Sequence, residues 1–459
     1  MSKKLWGTRF AKKTSTLTDR FTSSISFDKK LAKYDILGSI AHAKMLGVQR
    51  IIPVKEAALI VKGLKFILRD VIRRKIKFDP QAEDIHSNIQ DLLLKKIGKV
   101  ANKLHTARSR NDQIALDVKM YIKDEIKELV DLLALLQKSI LKLANNNSKV
   151  IIPGYTHLQI AQCVLLAHHL LAYIESLERD KTRLLDAKER ADLMPLGSCA
   201  LSGTSLPIDR DFVRKELRFR GVTANSIDSV SDRDYILEIL ADLSILSVHL
   251  SRIAEDLILW STKEFNFIDI DFSFCTGSSI MPHKKNPDVL ELIRGCVGKI
   301  QGDFSSVLIL MKGLPLSYNR DMQLDKPPLF NAIDTVKDIL QILEAVFENI
   351  IIEKEAISAK ISDESLFSVD IVEYLIKRSV SYRDAHDIVG RIIRDCLDKG
   401  KNISGLTNQE LRRYSPKLSS DVKKILNAQE SVNLKASYGG TNPKFVNNQL
   451  NNWKKRLNA

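Results

Sequence analysis

Glycine, proline and cysteine are scarce in this chain, whose 459 residues include only 19 Gly, 12 Pro and 5 Cys. So few breakers over such a length indicate long, uninterrupted elements rather than many short strands. The cysteines are scattered and lack the paired spacing of a metal site, which predicts free thiols in a reducing cytoplasm. No apolar run approaches a membrane span, and no apolar segment near the N-terminus is typical of a signal peptide. We therefore expect a cytoplasmic protein of two or three domains.

Acidic residues are outnumbered, because 71 Lys and Arg against 56 Asp and Glu give a formal net charge of +15. A strongly basic balance can indicate a nucleic-acid or membrane partner. Here the cations are spread along the chain, mixed with acids and interleaved with few aromatic residues. No nucleic-acid-binding motif is recognisable. The composition favours a solvated, Lys-rich surface, with neither nucleic acid nor membrane as a partner.

Long stretches without Gly or Pro carry the hydrophobic period of helices. Between residues 111 and 152, apolar residues recur at steps of three or four, as on one face of a long helix. These residues are Ile114, Val118, Ile122, Ile126, Leu129, Leu133, Leu136, Ile140 and Leu143. The stretches 155–194, 222–276 and 329–389 are also free of both breakers. The pattern predicts an elongated bundle of long helices.

The helical pattern is shorter at both ends of the chain than in its middle. Pro53 and Pro80 interrupt the first hundred residues, and short segments return after about residue 360. We therefore predict an N-terminal helical domain at 1–109, a central long-helix domain at 110–360 and a small C-terminal helical domain at 361–459.

The run GSSIMPHKKNP at residues 277–287 concentrates hydroxyl, ammonium and carboxamide groups between Gly and Pro. Gly277 frees the backbone, while Pro282 and Pro287 discourage a helix. The residues predict either a polar loop that closes over an anionic substrate or simply a solvated loop. The run resembles the signature loop of the fumarase/aspartase superfamily, G-S-S-x-M-P-x-K-x-N-P, and every fixed position of that pattern is met.

Four further polar runs are HTARSRNDQ at 105–113, PGYTHLQ at 153–159, SDRD at 231–234 and YNRDMQ at 318–323. The two Arg and the Asn of the first suit bidentate capture of carboxylates, or else a helix cap with surface charges. His157 in the second stands at the predicted start of a helix and is either catalytic or structural. The third is consistent with a capped helix start, and the fourth with a grip on an amino acid or with a surface turn.

Together these runs resemble the argininosuccinate lyase family. Its motifs H-T-G-R-S-R-N-D-Q, P-G-Y-T-H-L-Q, S-D-R-D and Y-N-[KR]-D-[ML]-Q occur here in order, the first with one substitution. The opening LWGTRF at 5–10 is similar to the family's L-W-G-G-R-F, and SISFD at 24–28, EDIHS at 83–87 and IDR at 208–210 also match. The resemblance spans essentially the whole chain.

The resemblance implies an all-α, three-domain fold whose central bundle forms the core of a homotetramer, with active sites shared between subunits. It implies reversible anti β-elimination of argininosuccinate to L-arginine and fumarate, the last step of arginine biosynthesis, without metal or cofactor. Two alternatives are another fumarate-releasing lyase of the superfamily and a non-catalytic, crystallin-like structural homologue.

The resemblance also implies roles for individual residues. Ser278 is expected to take the carbon-bound proton, while Lys284 and Asn286 bind the carboxylate that gains charge. His157 is expected to protonate the leaving nitrogen, oriented by Glu291, although the Ser and His roles can be reversed. The implied substrate-binding residues are Ser24, His86, Arg108, Arg110, Asn111, Thr156, Tyr318, Arg320, Gln323 and Lys326.

Four positions depart from the family's pattern. Ala107 and Cys199 replace Gly, Cys163 replaces a frequent Pro, and Leu324 replaces a common Glu. If the backbone at Ala107 requires a positive φ, the substitution costs stability or shifts the adjacent Arg pair. None of the four removes a proposed catalytic group.

Overall fold

The computed structural model of the chain describes residues 14–458, so the LWGTRF motif at 5–10 lies outside the described residues. Helices dominate this part of the chain, which confirms the all-α expectation. The α-helices are α1 Thr16–Thr22, α2 Ile25–Asp28, α3 Ala32–Val48, α4 Val54–Ile72, α5 Ile85–Ile97, α6 Arg110–Asn146, α7 Leu166–Ala191, α8 Arg210–Glu216, α9 Ser226–Ser231, α10 Asp234–Ser261, α11 Asp288–Met311, α12 Lys326–Asn349, α13 Lys354–Lys360, α14 Ser368–Ile376, α15 Tyr382–Asp398, α16 Asn408–Tyr414, α17 Ala428–Asn433 and α18 Pro443–Asn458. No helix of the described chain is long and apolar enough to cross a membrane.

The strands between residues 14 and 458 form four pairs and no larger sheet. They are β1 Ile151–Thr156, β2 Gln159–Leu165, β3 Leu193–Met194, β4 Gly221–Val222, β5 Ile268–Asp269, β6 Thr276–Gly277, β7 Lys285–Asn286 and β8 Ile351–Ile352. The pairs β1–β2, β5–β8 and β6–β7 are antiparallel, and β3–β4 is parallel. The strands β1–β2 and β6–β7 are hairpins, and each carries candidate site residues.

The predicted seam of the long helix α6 is confirmed over nearly its whole length. Of the nine apolar residues that set its period, all are buried except Leu143, which is half-buried in the last turn. Asp112 supports the start of the helix by accepting a hydrogen bond from the backbone N–H of Ser109 at 3.0 Å. The helix ends in a run of Asn, which is a weak helix former.

Absence of Gly and Pro overestimates helix in all three of the other stretches, of which 222–276 is divided among β4, α9, α10, β5 and β6. The stretch 155–194 begins with the rest of the β1–β2 hairpin, and only then does α7 start. Ile151, Ile152 and Cys163 are buried on this hairpin, where β-branched residues favour a strand. The stretch 329–389 is likewise divided among α12, β8, α13, α14 and α15.

The chain divides into two compact units. The first comprises Met1–Val130, Asp180–Ile245 and Gly298–Val336, and the second comprises the intervening and C-terminal segments Asp131–Arg179, Leu246–Val297 and Lys337–Ala459. Each of the long helices α6, α7, α10, α11 and α12 contributes one segment to each unit.

The C-terminal part of the second unit has a hydrophobic cluster of its own. Leu375, Ile392, Leu411 and Leu418 are among its most buried members. The cluster lies within the predicted C-terminal domain, whose boundary at residue 361 stays a prediction.

Candidate active site

The signature loop is the tip of the β6–β7 hairpin in the second unit. Thr276 pairs with Asn286, and Gly277 pairs with Lys285. Ser278 directly follows β6 and Lys284 directly precedes β7, so these two residues flank the last pair of the ladder. The hairpin therefore gathers the hydroxyl, ammonium and carboxamide of Ser278, Lys284 and Asn286 into one small region.

Two polar contacts hold the base of this hairpin. The hydroxyl of Thr276 donates to the carboxylate of Asp288. The ammonium of Lys285 pairs with Asp269 at 2.9 Å and lies 4.1 Å from the centre of the Phe272 ring. Lys285 is thus committed to structure. Within residues 14–458 the exposed Lys284 makes no ion pair, so its charge is available to an anion.

The side-chain oxygen of Ser278 accepts hydrogen bonds from two backbone N–H groups of its own loop. Its Oγ accepts the backbone N–H of Met281 at 3.1 Å and that of Ile280 at 3.4 Å. Hydrogen bonds donated to an oxygen favour its charged form. The turn therefore places two donors on the Ser278 oxygen, and the role of Ser278 as a base stays a prediction.

His157 lies at the tip of the β1–β2 hairpin, not at the start of a helix as the sequence predicted. Thr156 pairs with Gln159, which leaves His157 and Leu158 as a two-residue turn with φ of 55° and 57°. Consecutive positive φ values define the type I′ turn, which Asn-Gly ordinarily occupies. The strand before the turn is anchored by Tyr155, whose ring centre lies 5.1 Å from that of Phe265.

The His157 side chain is consequently exposed on a strained turn, next to the exposed Thr156. Left-handed backbone costs an L-residue roughly 1–2 kcal/mol, and such strain concentrates at functional sites. Glu291 is exposed in the first turn of α11. Among the described residues, no hydrogen bond or ion pair joins His157 to Glu291 or to Ser278. The partnership of these three side chains stays a prediction.

In the first unit, the Asp28 carboxylate joins the segment of Ser24 to the start of α5, where Ile85 precedes His86. Asp28 Oδ2 accepts the Ser24 hydroxyl at 2.5 Å and the backbone N–H of Ile85 at 3.3 Å. The backbone N–H of Ser24 also donates to the carbonyl of Glu83 at 2.9 Å. Burial raises the pKa of Asp28, although the Ser24 hydrogen bond and His86 oppose that rise. The SISFD and EDIHS motifs thus form a single contact region.

The YNRDMQ run reaches the same region. Arg320 donates to the Thr22 carbonyl at 2.7 Å and pairs with Glu83 at 3.2 Å. Gln323 donates to the same Thr22 carbonyl at 3.2 Å. Burial raises the pKa of the nearby Tyr318 phenol, which keeps the hydroxyl a hydrogen-bond donor. Arg320, Gln323 and Ser24 therefore belong to one cluster.

Two buried cations of this unit share one buried carboxylate. Asp325 pairs with the Arg233 guanidinium at 2.7 Å and with the Lys326 ammonium at 2.7 Å. Burial lowers the pKa of Lys326, while the charge of Asp325 acts to raise it. Two cations against one anion leave positive charge that suits a substrate carboxylate. Sequence reasoning missed Arg233 and Asp325, although the SDRD and YNRDMQ motifs directed attention to both segments.

The two arginines of the RSRN segment donate to different side chains. Arg108 is buried and donates to the Ser39 hydroxyl at 2.8 Å. Arg110 is half-buried, donates to the Ser87 hydroxyl at 3.2 Å, and its Nε lies 3.4 Å from a carboxylate oxygen of Asp84. Asn111 donates to the Ala200 carbonyl at 3.0 Å. Of the two guanidiniums, Arg110 is the better placed to meet a ligand.

At both positions where this chain replaces the family's Gly, the backbone is left-handed. Ala107 has a φ of 54° and Cys199 a φ of 53°, so the suspected positive φ at Ala107 is confirmed. The Cys199 thiol lies 3.4 Å from the Ala107 carbonyl. Asp112 Oδ2 accepts the backbone N–H groups of Gly197 at 2.9 Å and Cys199 at 2.8 Å. Because Asp112 Oδ1 also accepts the backbone N–H of Ser109, one carboxylate holds the turn at Cys199 and the segment that follows Ala107.

The other two departures lie in ordinary surroundings. Cys163 is buried opposite Pro153 in the β1–β2 hairpin, and burial raises the pKa of its thiol to about 12. Leu324 is 56 % exposed. Neither side chain takes the place of a proposed catalytic group.

One set of buried groups is close enough to hold a cation. Asp35, His86 and Asp117 each offer one ligand atom, and these atoms lie within 4.8 Å of one another. His86 Nδ1 already forms a 2.7 Å hydrogen bond with Asp35 Oδ1. The positive charge of buried Arg108 acts on both carboxyl groups and disfavours a further cation. A proton shared by the carboxyls fits this arrangement better than a metal ion.

Comparisons with known proteins show which family the chain resembles. The family described as Lyase matches residues 8–302, and that described as Argininosuccinate lyase C-terminal matches residues 366–433. The chain is 47% identical over 454 residues to the argininosuccinate lyase of Pelotomaculum thermopropionicum, covering 99% of each chain. It is 48% identical to that of Syntrophus aciditrophicus, covering 97% of this chain and 95% of the relative.

Solved structures agree on the fold. An EDDS lyase variant with bound fumarate superposes with a TM-score of 0.82 at 24% identity, covering 97% of this chain and 90% of that one. A fumarate lyase from Mesorhizobium sp. BNC1 gives a TM-score of 0.75 at 18% identity, with 96% and 99% covered.

Proposed function

Because this chain belongs to the argininosuccinate lyase family, we propose that it cleaves argininosuccinate reversibly to L-arginine and fumarate by anti β-elimination. The observation that carries the proposal is the β6–β7 hairpin, which gathers Ser278, Lys284 and Asn286. The other cations and hydrogen-bond donors described above, among them Arg110, Arg320 and Lys326, suit a substrate with several carboxylates.

The reaction removes a proton from the carbon next to a carboxylate and breaks the bond between the neighbouring carbon and the guanidine nitrogen. Ser278 takes the proton, and Met281 and Ile280 stabilise its oxygen through their backbone N–H groups. The electron pair of the breaking bond leaves with nitrogen, which His157 protonates. No oxidant or reductant is needed, and we propose that neither metal nor organic cofactor takes part.

The carboxylate beside the deprotonated carbon gains charge before the leaving group departs. A cation placed at that point accelerates the reaction because its attraction is stronger in the transition state than in the substrate. We assign this role to Lys284, whose exposed ammonium is not committed to a described ion pair, with Asn286 as a neutral donor. Glu291 is proposed to orient His157.

Binding of the remaining substrate groups falls to the first unit and the His157 hairpin. Arg110 and Lys326 are proposed to meet carboxylates, while Arg320, Gln323 and Tyr318 hold the amino-acid end. The other proposed contacts are Ser24, His86, Arg108, Asn111 and Thr156. Truncating a contact that tightens in the transition state is expected to lower kcat as well as raise KM.

We further propose a cytoplasmic homotetramer that acts in arginine biosynthesis, with each active site completed by residues from three copies. Mixing His157→Asn and Ser278→Ala variants tests this arrangement. Partial recovery of activity after subunit exchange is expected, because some sites then receive both intact residues. Exchange without any recovery would refute the shared site.

The direct test is fumarate release from argininosuccinate, followed by ultraviolet absorbance, in wild type, Ser278→Ala and Ser279→Ala. The adjacent Ser279 is the matched control, because it loses a hydroxyl from the same loop. We expect Ser278→Ala to lose at least roughly 10²-fold in kcat, the contribution of a positioned base, and Ser279→Ala to lose far less.

Product analysis separates the alternatives. Release of fumarate with arginine supports the proposal, whereas fumarate with another amine would indicate a different lyase of the superfamily. A folded wild-type protein that releases no fumarate from any such substrate would indicate a structural homologue. Equal losses in the two Ser variants would refute the assignment of the base.

A further inference from the structure

Two buried carboxyl groups meet at the ring of buried His86 in the first unit. Asp35 on α3 and Asp117 on α6 are 2% and 1% exposed, and His86 is 4% exposed. His86 Nδ1 lies 2.7 Å from Asp35 Oδ1 and 3.7 Å from Asp117 Oδ2. Neither aspartate has a role in the elimination proposed above.

The two carboxyl groups differ sharply in their donors. Asp35 Oδ1 lies 2.7 Å from His86 Nδ1 and accepts a hydrogen bond from the side-chain amide of Gln113. Both oxygens of Asp117 are buried without a hydrogen-bond partner among the described residues. A buried charge without partners is costly, and a second carboxylate nearby adds repulsion. Two carboxyls in this arrangement share one proton, as in paired catalytic aspartates.

The surrounding charges identify which carboxyl keeps the proton. Burial and then the charge of Asp35 raise the pKa of Asp117 well above its ordinary value, Asp28 adds to that rise, and Arg108 opposes it. Burial acts to raise the pKa of Asp35 as well, but His86, Arg108 and Gln113 together lower it. The anion therefore belongs on Asp35 and the proton on Asp117.

We propose that the ionised Asp35 and the un-ionised Asp117 are positioning residues that hold the proton of His86 on Nδ1. A carboxylate 2.7 Å away requires a donor at Nδ1, so Nε2 is the ring nitrogen that remains to accept a hydrogen bond. A cavity of about 20 Å³, enough for about one water, is lined by His86, Arg108 and Arg110. This inference rests on the proposed function, because it gives His86 its role as a substrate contact.

Asp117 contributes a donor and no charge in this arrangement. Its hydroxyl proton is available to the Asp35 carboxyl, whose ligand atom lies within 4.8 Å, and it adds no second negative charge. Asn can supply an equivalent N–H, so Asp117→Asn preserves the arrangement, whereas Asp117→Ala removes it. Asp35→Asn presents an amide to Nδ1 and allows the His86 proton to move to Nε2.

The protonation state is tested without any assay of activity. Infrared spectra at pH 8 are compared for wild type, Asp117→Asn and the control Asp370→Asn, which alters a buried aspartate paired with Lys435. We expect the carbonyl stretch of an un-ionised carboxyl group in wild type and in the control, and its loss in Asp117→Asn. Absence of a band that depends on Asp117 would overturn the proposal. About one equivalent of divalent metal per chain, lost in Asp117→Asn, would overturn it too.

The positioning role is tested by kcat and KM for fumarate release across pH. Asp117→Asn is expected within about threefold of wild type with an unchanged pH profile, and Asp117→Ala is expected to be clearly impaired. Asp35→Asn is expected to lose roughly 10–100-fold in kcat/KM, the range for groups that orient a histidine, and to shift the pH profile. An Asp117→Asn variant as impaired as Asp117→Ala would refute an un-ionised Asp117.

These tests remain separable from the proposed reaction. If wild type releases no fumarate, the function fails while the infrared comparison still decides the state of the carboxyl pair. If Asp35→Asn does not fold, the infrared spectra and the comparison of Asp117→Asn with Asp117→Ala still decide the protonation state of the carboxyl pair.

Discussion

Replacing Ala107 by Gly is expected to stabilise the protein. Ala107 has a φ of 54°, in the left-handed region where Cβ crowds the backbone. Relief of that crowding contributes roughly 1–2 kcal/mol to the folded state. Gly also gains freedom in the unfolded chain, which offsets about 0.4–1 kcal/mol. The net expectation is a stabilisation between about 0 and 1.6 kcal/mol, with a central value of about 0.8 kcal/mol.

Cys199→Gly is expected to be closer to neutral. Its φ of 53° offers the same relief of strain, but the variant loses a half-buried side chain and the 3.4 Å contact of its thiol with the Ala107 carbonyl. Because the two turns touch and share Asp112, the double variant is expected to depart from additivity by about 0.5 kcal/mol or more.

The assay is equilibrium unfolding in urea at fixed protein concentration, with the midpoint compared at constant slope. Ala58→Gly is the matched control, because Ala58 is exposed in the interior of the helix α4. Gly there should destabilise by roughly 1 kcal/mol. An Ala107→Gly variant that loses as much stability as this control would refute the strain argument.

Three further predictions concern buried or strained groups. Burial, with the charge of Arg108, lowers the pKa of His42 to about 3, so stability is fully present above the unfolded pKa of roughly 6.5 and falls by about 1.4 kcal/mol per pH unit below it. The urea midpoint of His42→Gln should therefore depend less on pH between 6.5 and 5, and an equal dependence would contradict this. Leu158→Gly should raise the midpoint by relieving a φ of 57°, and a lower midpoint would count against a strained turn. Asp325→Asn leaves two buried cations without their shared carboxylate and should cost roughly 3–5 kcal/mol in urea unfolding, so a loss below about 1 kcal/mol would show that the pairing contributes little.

Periodicity predicted the parts of the fold that local sequence controls. The seam of α6 follows from one helical period, and its residues are buried as expected, apart from half-buried Leu143. The place of His157 was wrong because freedom from Gly and Pro was taken for helix, although Ile151 and Ile152 precede it in a strand.

The grouping of Asp35, Asp117 and His86 was beyond a sequence argument. These residues lie on three different helices, and burial and charge emerge only when α3, α5 and α6 pack together. By contrast, Ser278 and Lys284 are close in sequence, so a single hairpin suffices to place both of them at its tip. The roles of all these side chains in the reaction stay predictions.

The narrow base of the β6–β7 hairpin has a practical consequence. Only two residue pairs close it, while Ile280, Met281 and Lys284 at its tip are exposed. Local opening of so small a unit requires little free energy, so proteases that cut after lysine should find the tip without unfolding the chain. An anion bound to Lys284 would slow that cleavage. The rate of proteolysis at the hairpin tip therefore reports whether an anion is bound there.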